Sequence, residues 1–324
     1  MDYSAAVAFF DLDGPYLLST HLNADGDGIG ALLALGEMLE NLGRPYRILL
    51  SDETVDQKLA FLPGFDRIEP YGCSEDRRQA VCAVFVDTPT VAQKRVGDVA
   101  EMIGPETRTL IIDHHNPEPG DERHTHLVDS EASAASEIVY RLILATGTAI
   151  SPEMATQIYA GIAFDTKLFK YSNPKRALRI CADLVDAGAD PQRIADALFS
   201  HQTYETVWTL GMALSSLTLH LDKQVSSLFV DHHTYARGGD LDPVVDHAMS
   251  IDGVEVALFL KEEKPGRFRV SLRSRGTVDV NEIAQIFGGG GHRSASGCMI
   301  EAPLEDARGA LLAELEKRMT RGRF

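Results

Sequence analysis

Three short apolar runs in this 324-residue chain stop abruptly at side chains fit for chemistry. Residues 16–18 (YLL) precede the run HLNADGDGIG at 21–30, residues 83–86 (AVFV) precede Asp87, and residues 110–112 (LII) precede Asp113, His114 and His115. A short apolar run bounded by polar residues reads as a buried strand, and here its C-terminal end delivers the functional group. Helix-like stretches lie between. They are residues 30–42, rich in Ala, Leu, Glu and Met and closed by Gly43, Arg44 and Pro45; residues 134–144; and residues 152–163, with Ser151 as cap and Pro152 in the first turn. Strands alternating with helices imply an α/β fold with a parallel sheet wrapped on both faces, in which ligands sit beyond the strand C-termini.

The pattern starts afresh toward the C-terminus. Residues 174–187 continue as helix to Gly188, and residues 191–219 are mostly helical in composition with a polar break at 200–203. After these, residues 225–230, 254–260 and 268–273 read as strands, 264–267 as a hairpin turn, and 280–287 and 304–319 as helices. The expected organisation is a catalytic domain over 1–190, a helical connector over 191–222 and a smaller α/β domain over 223–324, with a cleft between the domains.

The first motif places His21, Asp25 and Asp27 in one tight loop, with Gly26, Gly28 and Gly30 letting the backbone turn into the next helix. Two carboxylates separated by one residue can point at two neighbouring ions, and Asp87, alone at its strand end, is suited to bridging them. His114 and the Asp165-Thr166 pair, also expected at a strand end, can complete the second ion's shell, because imidazole and carboxylate suit Mn²⁺ and similar divalent cations. Two metals roughly 3.5–4 Å apart clamp the attacking and leaving oxygens of an in-line displacement and lower the pKa of a bridging water. That chemistry is phosphoester hydrolysis without a covalent enzyme intermediate.

Composition sets the limits. A net charge of −17 argues against a long, non-specific hold on nucleic acid, which needs many Lys and Arg on the backbone phosphates. A short oligonucleotide or a single nucleotide phosphate needs only a few local cations. Cys73, Cys82, Cys181 and Cys298 form no CxxC pair, so they read as packing residues in a reducing, cytoplasmic setting. The opening MDYSAAVAFFDLDG has no basic region, and no run approaches the ~20 apolar residues of a membrane span.

With these motifs in this order the chain resembles the DHH phosphoesterase superfamily over nearly its whole length. The closing FGGGGHRSASG at 287–297, with SLRSR at 271–275, resembles the accompanying DHHA1 domain. The layout is similar to the nanoRNase and pAp phosphatase family, the bifunctional oligoribonucleases and PAP phosphatases. That resemblance implies a parallel-sheet DHH domain, a smaller DHHA1 domain, and two divalent cations, Mn²⁺ ahead of Mg²⁺ or Co²⁺. One ion would lie on His21, Asp25 and Asp87, the second on Asp27, Asp87, His114 and Asp165. Asp113 would orient an imidazole, and His115 would face the scissile phosphate. Arg273, Arg275, His292 and the backbone of Gly289, Gly290 and Gly291 would hold the distal phosphate or base. The implied partners are short oligonucleotides or nucleotide phosphates, with no long nucleic acid and no membrane, and a homodimer is compatible with this reading. Two positions depart from the family pattern, Ala24 for the usual Pro and Lys167 for the usual Gly; Ala24 is expected to loosen the loop and Lys167 to add a cation near the cleft.

Other motifs read more plainly. Asp231, His232 and His233 repeat the DHH triplet after a strand-like run, but outside the expected order, as a surface loop. Asp11 and Asp13 lack the sequence context of a phosphatase nucleophile loop and read as a turn before the first central strand. The resulting expectation is a phosphoesterase that trims very short RNA to 5′-mononucleotides and removes the 3′-phosphate of adenosine 3′,5′-bisphosphate. Three alternatives remain: a linear dinucleotide (pApA-type) phosphodiesterase, an exopolyphosphatase or pyrophosphatase, and a nucleotide-binding regulator without turnover.

Overall fold

The apolar runs become adjacent strands of one parallel sheet. Its six strands are β1 (Tyr16–Ser19), β2 (Tyr46–Leu50), β3 (Ile68–Pro70), β4 (Cys82–Val86), β5 (Arg108–Asp113) and β6 (Thr125–Val128), in the order β3-β2-β1-β4-β5-β6. The computed structural model describes residues 2–115, 123–170, 175–200, 202–239, 241 and 244–321, and these fall into two units, Met1–His201 and Gln202–Phe324. From β1 the chain winds outward through β2 and β3, then returns to the opposite side of β1 as β4. The winding direction therefore switches between β1 and β4, and beyond their C-terminal ends lies the crevice where open α/β sheets bind ligands.

Both faces of this sheet are buried, as the unbroken apolar runs require. Leu18, Ile48, Val84, Val86, Leu110 and Ile112 pack beneath the helices Gly26–Asn41, Ala135–Ala145 and Pro152–Asp165. Leu17, Leu49, Phe85 and Ile111 face the other way, against Val96, Val99 and Met102. The expected helix at 152–163 extends to Asp165, and Ser151 caps it by accepting from the Met154 amide at 3.0 Å. Asp165 therefore comes from the last position of a helix and not from a strand end.

The helix after β1 also differs from expectation, starting at Gly26 rather than near residue 30, because the Asp25 side chain caps it. Its glycines serve close approach. A Cβ at Gly30 would sit 2.4 Å from the Gln157 carbonyl oxygen on the neighbouring helix, and one at Gly26 would meet the Phe164 ring at 2.6 Å. Gly30→Ala is expected to cost about 2–3 kcal/mol, because a backbone cannot yield as a side-chain tip can. Gly309→Ala is the control: that helical glycine has nothing within 4 Å of its Cβ position. Denaturant melts of equal stability for Gly30→Ala and the parent would refute the close-approach role.

The second unit holds a mixed sheet of β7 (Thr218–His220), β8 (Val225–Val230), β9 (Val256–Lys264), β10 (Arg267–Ser274), β11 (Gly290–His292) and β12 (Ala295–Glu301), ordered β11-β12-β10-β9-β8-β7. Only β8 and β9 run parallel. The turn expected at 264–267 joins β9 to β10, with Gly266 at a φ of 75°. Val256, Leu258, Leu260, Phe268, Val270 and Leu272 pack against the helices Val280–Ile286 and Leu304–Arg321. Ile194 and Leu198 belong to the core of the first unit, whereas the Tyr204–Ser215 helix packs on β8. The units thus divide inside the segment read as a connector. Among the described residues no helix is long and apolar enough to cross a membrane.

Candidate active site

At the switch point, the end of β1 is tied to the end of β4 by the Thr20 hydroxyl, which donates to the Val86 carbonyl at 2.8 Å. His21 follows. Its Nδ1 lies 2.8 Å from its neighbour Leu22's carbonyl, which leaves Nε2 facing Asp87 Oδ2 at 3.3 Å and Asp25 Oδ1 at 3.9 Å. Asp25 accepts from the Asp27 and Gly28 amides at 2.9 and 3.3 Å. Asp27 is fully buried, and its two oxygens accept from the amides of Ala135 and Ser136 at 2.6 and 2.9 Å, at the start of the Ala135–Ala145 helix. That helix end favours an anion, so it fixes the Asp27 carboxylate. Gly161 leaves it room, since a Cβ there would meet Ser136 Oγ at 2.0 Å and Asp27 Oδ1 at 2.9 Å.

Asp87 lies at the centre. Its φ of 55° is a left-handed conformation that costs a non-glycine residue about 1–2 kcal/mol. With one oxygen 3.3 Å from His21 and the other 3.3 Å from His114 Nε2, it spans both sides of the site. His114 also approaches Asp165 Oδ2 at 3.7 Å. Asp113, fully buried, accepts with Oδ1 from the His114 amide and from His115 Nδ1, each at 2.8 Å. His115 is half exposed and lies against the His114 ring, with centroids 4.4 Å apart.

Crowding sets the charges. Burial works against the imidazolium of His21 and of His114, yet the adjoining Asp87 overrides it and raises them to about 9 and about 10. Burial pushes the Asp165 carboxyl up to about 6, and burial with Asp87 beside them raises Asp25 and Asp27. Asp87 is the exception, for although burial pushes it up, His114 and His21 hold it well below the usual carboxylate range. The bond to Asp113 raises His115.

This donor set fits divalent cations. Three groups of ligand atoms each lie within 4.8 Å of one another: His21, Asp25 and Asp87; Asp27, His114 and Asp165; and Asp87 with Asp113, His114 and His115. Buried Asp87 Oδ1 makes no well-aligned hydrogen bond, its nearest polar neighbour being His114 Nε2 at 3.3 Å, which leaves its lone pairs open to a cation. Aspartate oxygens and imidazoles without thiolate suit Mn²⁺, Mg²⁺ or Co²⁺.

Some supporting residues carry no signal of their own. Asp52 accepts from the Asn23 and Ala24 amides at 2.9 and 3.2 Å and braces the loop. The Ala24 amide therefore ties the loop where a proline would have no donor, contrary to the expected loosening. Asp52 is open to the same strand-end logic as Asp87, since it lies just past β2. Ser136, which holds Asp27 through its amide and through its hydroxyl, donating to the Asp27 carbonyl at 3.3 Å, offers no signal. Lys167 stands over the Phe164 ring, 4.2 Å from its centroid, in a run of three left-handed residues.

In the smaller unit, Arg273 and Gly289, Gly290 and Gly291 line one pocket of about 850 Å³. Gly290 and Gly291 are paired with β12 as strand, not held as an open turn. Arg275 does not line the pocket. Its guanidinium donates to the carbonyls of Val254 and Met249 at 2.8 and 2.6 Å, because the strand's alternation ends at Ser274. His292 is in β11, and its side chain lies outside the described residues. Asp231 caps the short helix His232–Ala236, donating no ligand to the three groups above. The exposed Asp13 pairs with Arg44 at 3.3 Å ahead of β1.

A doubly wound sheet whose switch point gathers aspartates and histidines around a divalent-cation site defines a phosphoesterase-type hydrolase. The model described as "DHH family, N-terminal domain" matches residues 16–162, and that described as "DHHA1 domain" matches residues 222–321. The chain belongs to the DHH/DHHA1 phosphoesterase superfamily. It is 29% identical to a bifunctional oligoribonuclease and PAP phosphatase NrnA of Thermus thermophilus, over 97% of this chain and 93% of that protein. The protein of the same name from Bacillus subtilis is 27% identical over 93% of each. A solved structure of an exopolyphosphatase-related protein from Bacteroides fragilis is similar with a TM-score of 0.89 and 26% identity, covering 99% of this chain and 97% of that one.

Proposed function

We propose that this protein is a Mn²⁺-dependent hydrolase that trims very short RNA to 5′-mononucleotides and removes the 3′-phosphate of adenosine 3′,5′-bisphosphate. The observation that supports this reading is that Asp87, one of the His21, Asp25 and Asp87 group, lies 3.3 Å from His114 of the Asp27, His114 and Asp165 group, within a chain similar over more than nine-tenths of its length to the NrnA relatives. His21, Asp25 and Asp87 hold one cation, and Asp27, Asp87, His114 and Asp165 the other. When bound, such a pair polarises the phosphoryl oxygens and makes a water nucleophilic at neutral pH.

The chain's own residues supply position and charge. Leu22 locks the His21 ring so that Nε2 is presented, and Asp113 does the same for His115 through Nδ1. Asp113 favours the imidazolium form of His115, which would donate from its other nitrogen to the phosphate as charge builds there. In the smaller unit, Arg273 in the glycine-lined pocket offers a cation to a phosphate.

A polyphosphate reading has one observation in its favour, the name of the Bacteroides fragilis relative. One assay separates the readings: RNA of two to five nucleotides, pApA, adenosine bisphosphate, pyrophosphate and polyphosphate, each with Mn²⁺, Mg²⁺ or Co²⁺. The expected products are 5′-mononucleotides from RNA and AMP from the bisphosphate, fastest with Mn²⁺. Turnover of polyphosphate alone would overturn the proposal.

A further inference from the structure

Asp27 and His114 reach the second cation from segments far apart in the chain, and a side chain belonging to neither ties those segments together. It is Arg176, in the first turn of the Lys175–Asp186 helix.

On the Asp27 side, the Ala135–Ala145 helix starts without a side-chain cap, because its N-cap is Ala134. A Ser, Asp or Asn there would compete for the first-turn amides. Asp27, more than a hundred residues earlier, takes the cap's place by accepting from Ala135 and Ser136. The turn itself is held from within. Fully buried Glu137 accepts with one oxygen from the Ser133 amide and hydroxyl, at 3.1 and 3.0 Å, and with the other from Arg176 Nε. Arg141 approaches that second oxygen only at 3.5 Å.

On the His114 side, Arg176 Nη2 donates to Asp129 Oδ2 at 2.6 Å. Asp129 directly follows β6, and its amide donates at 3.1 Å to the carbonyl of Asp113, the last residue of β5. Asp113 in turn accepts from the His114 amide. A guanidinium is a planar fork of donors, so one that bonds two carboxylates also sets the distance between them. A buried ion pair adds little net stability, because desolvation of the charges offsets their attraction. The consequence of this one is geometric: it fixes the cradle of Asp27 against the strand end that presents His114.

We propose that Arg176 and Glu137 are positioning residues for the second cation, holding the Asp27 carboxylate and the His114 imidazole where one ion meets both, an assignment that rests on the two-cation reading of the site. His21 and Asp25 are held by other bonds, from the Leu22 carbonyl and from the Asp27 and Gly28 amides, so the first ion should be spared.

The test titrates the full metal-free chain with Mn²⁺, following stepwise binding by calorimetry and electron paramagnetic resonance. The parent should bind two ions and give the spectrum of a coupled pair. Arg176→Gln should weaken the second step by about tenfold or more, the usual cost of losing a partner that orients a ligand, and leave the first within about twofold. At two equivalents its spectrum should be that of an isolated ion, and excess Mn²⁺ should restore the coupled pair. Glu137→Gln should behave alike. Arg176→Lys keeps a charge beside Glu137 but cannot span both carboxylates, so it should weaken the second step by about threefold or more, and it carries the test if Arg176→Gln does not fold. A lowered melting temperature with both steps unchanged, or both weakened alike, would mean that Arg176 only stabilises the fold, and overturns the proposal while the two-cation reading stands. A parent chain that binds fewer than two ions overturns both.

Discussion

Asp87→Asn is expected to abolish turnover, lowering kcat/KM by at least about a thousandfold, and to strip the divalent cations from the folded protein. The scale follows from the several kcal/mol of transition-state stabilisation that cations supply in such sites. Asparagine preserves the shape of the side chain and tolerates the φ of 55° better than most residues, so the β4 end keeps its course. What it removes is the charge. Asp87 is 3.3 Å from both His21 and His114, and a neutral amide can balance neither side of the site. Elemental analysis after dialysis, alongside circular dichroism, separates metal loss from unfolding. Normal metal content with retained turnover would defeat the shared-carboxylate assignment.

Why Asp87 is legible in the sequence is a matter of burial. β4 is apolar through all five residues because the sheet is covered on both faces, and an aspartate ending such a run must be exposed, capped or functional. The same logic finds His21 and the Asp113 to His115 triplet. It applies equally to Asp52, past the end of β2, but Tyr46 and Arg47 are only partly buried and break the apolar run that marks a strand. Asp165 is legible through its place in the motif order, while its setting is not a strand end. The helix from Pro152 continues to Asp165 because Gln157 through Ala163 are buried on every side, so the core holds it up to its last turn.

The smaller unit is harder to read. β12 consists of Ala, Ser, Gly, Cys, Met, Ile and Glu, and its buried positions Ser296, Cys298 and Ile300 alternate too weakly in polarity to announce a strand. Without β12, the glycines at 288–291 have no visible partner, and the sequence offers them only as backbone open to an anion.

Metal loading should release protons, and its affinity should climb with pH. In the metal-free protein His21 and His114 are raised from the ordinary histidine value to about 9 and about 10, so at pH 7 both carry a proton on the charge-balancing imidazole. A cation binds only the neutral ring, so each histidine gives up its proton on ligation. The apparent affinity therefore rises about tenfold per pH unit for each proton displaced, between pH 6.5 and the raised values. Below about 6, protonated Asp165 adds a further competitor. Titration calorimetry at pH 7.5 in buffers of different ionisation enthalpy should count about two protons released on full loading. Stability follows the opposite course in the metal-free protein. A group whose folded pKa is raised stabilises fully below its unfolded value and loses that contribution as pH rises through the folded one, so melting temperature should fall from pH 6.5 toward 10. Bound cations replace the protons and should flatten that fall. A pH-independent affinity with no proton release would mean that the two imidazoles are not ligands, and would leave Asp25, Asp27, Asp87 and Asp165 to hold any cation alone.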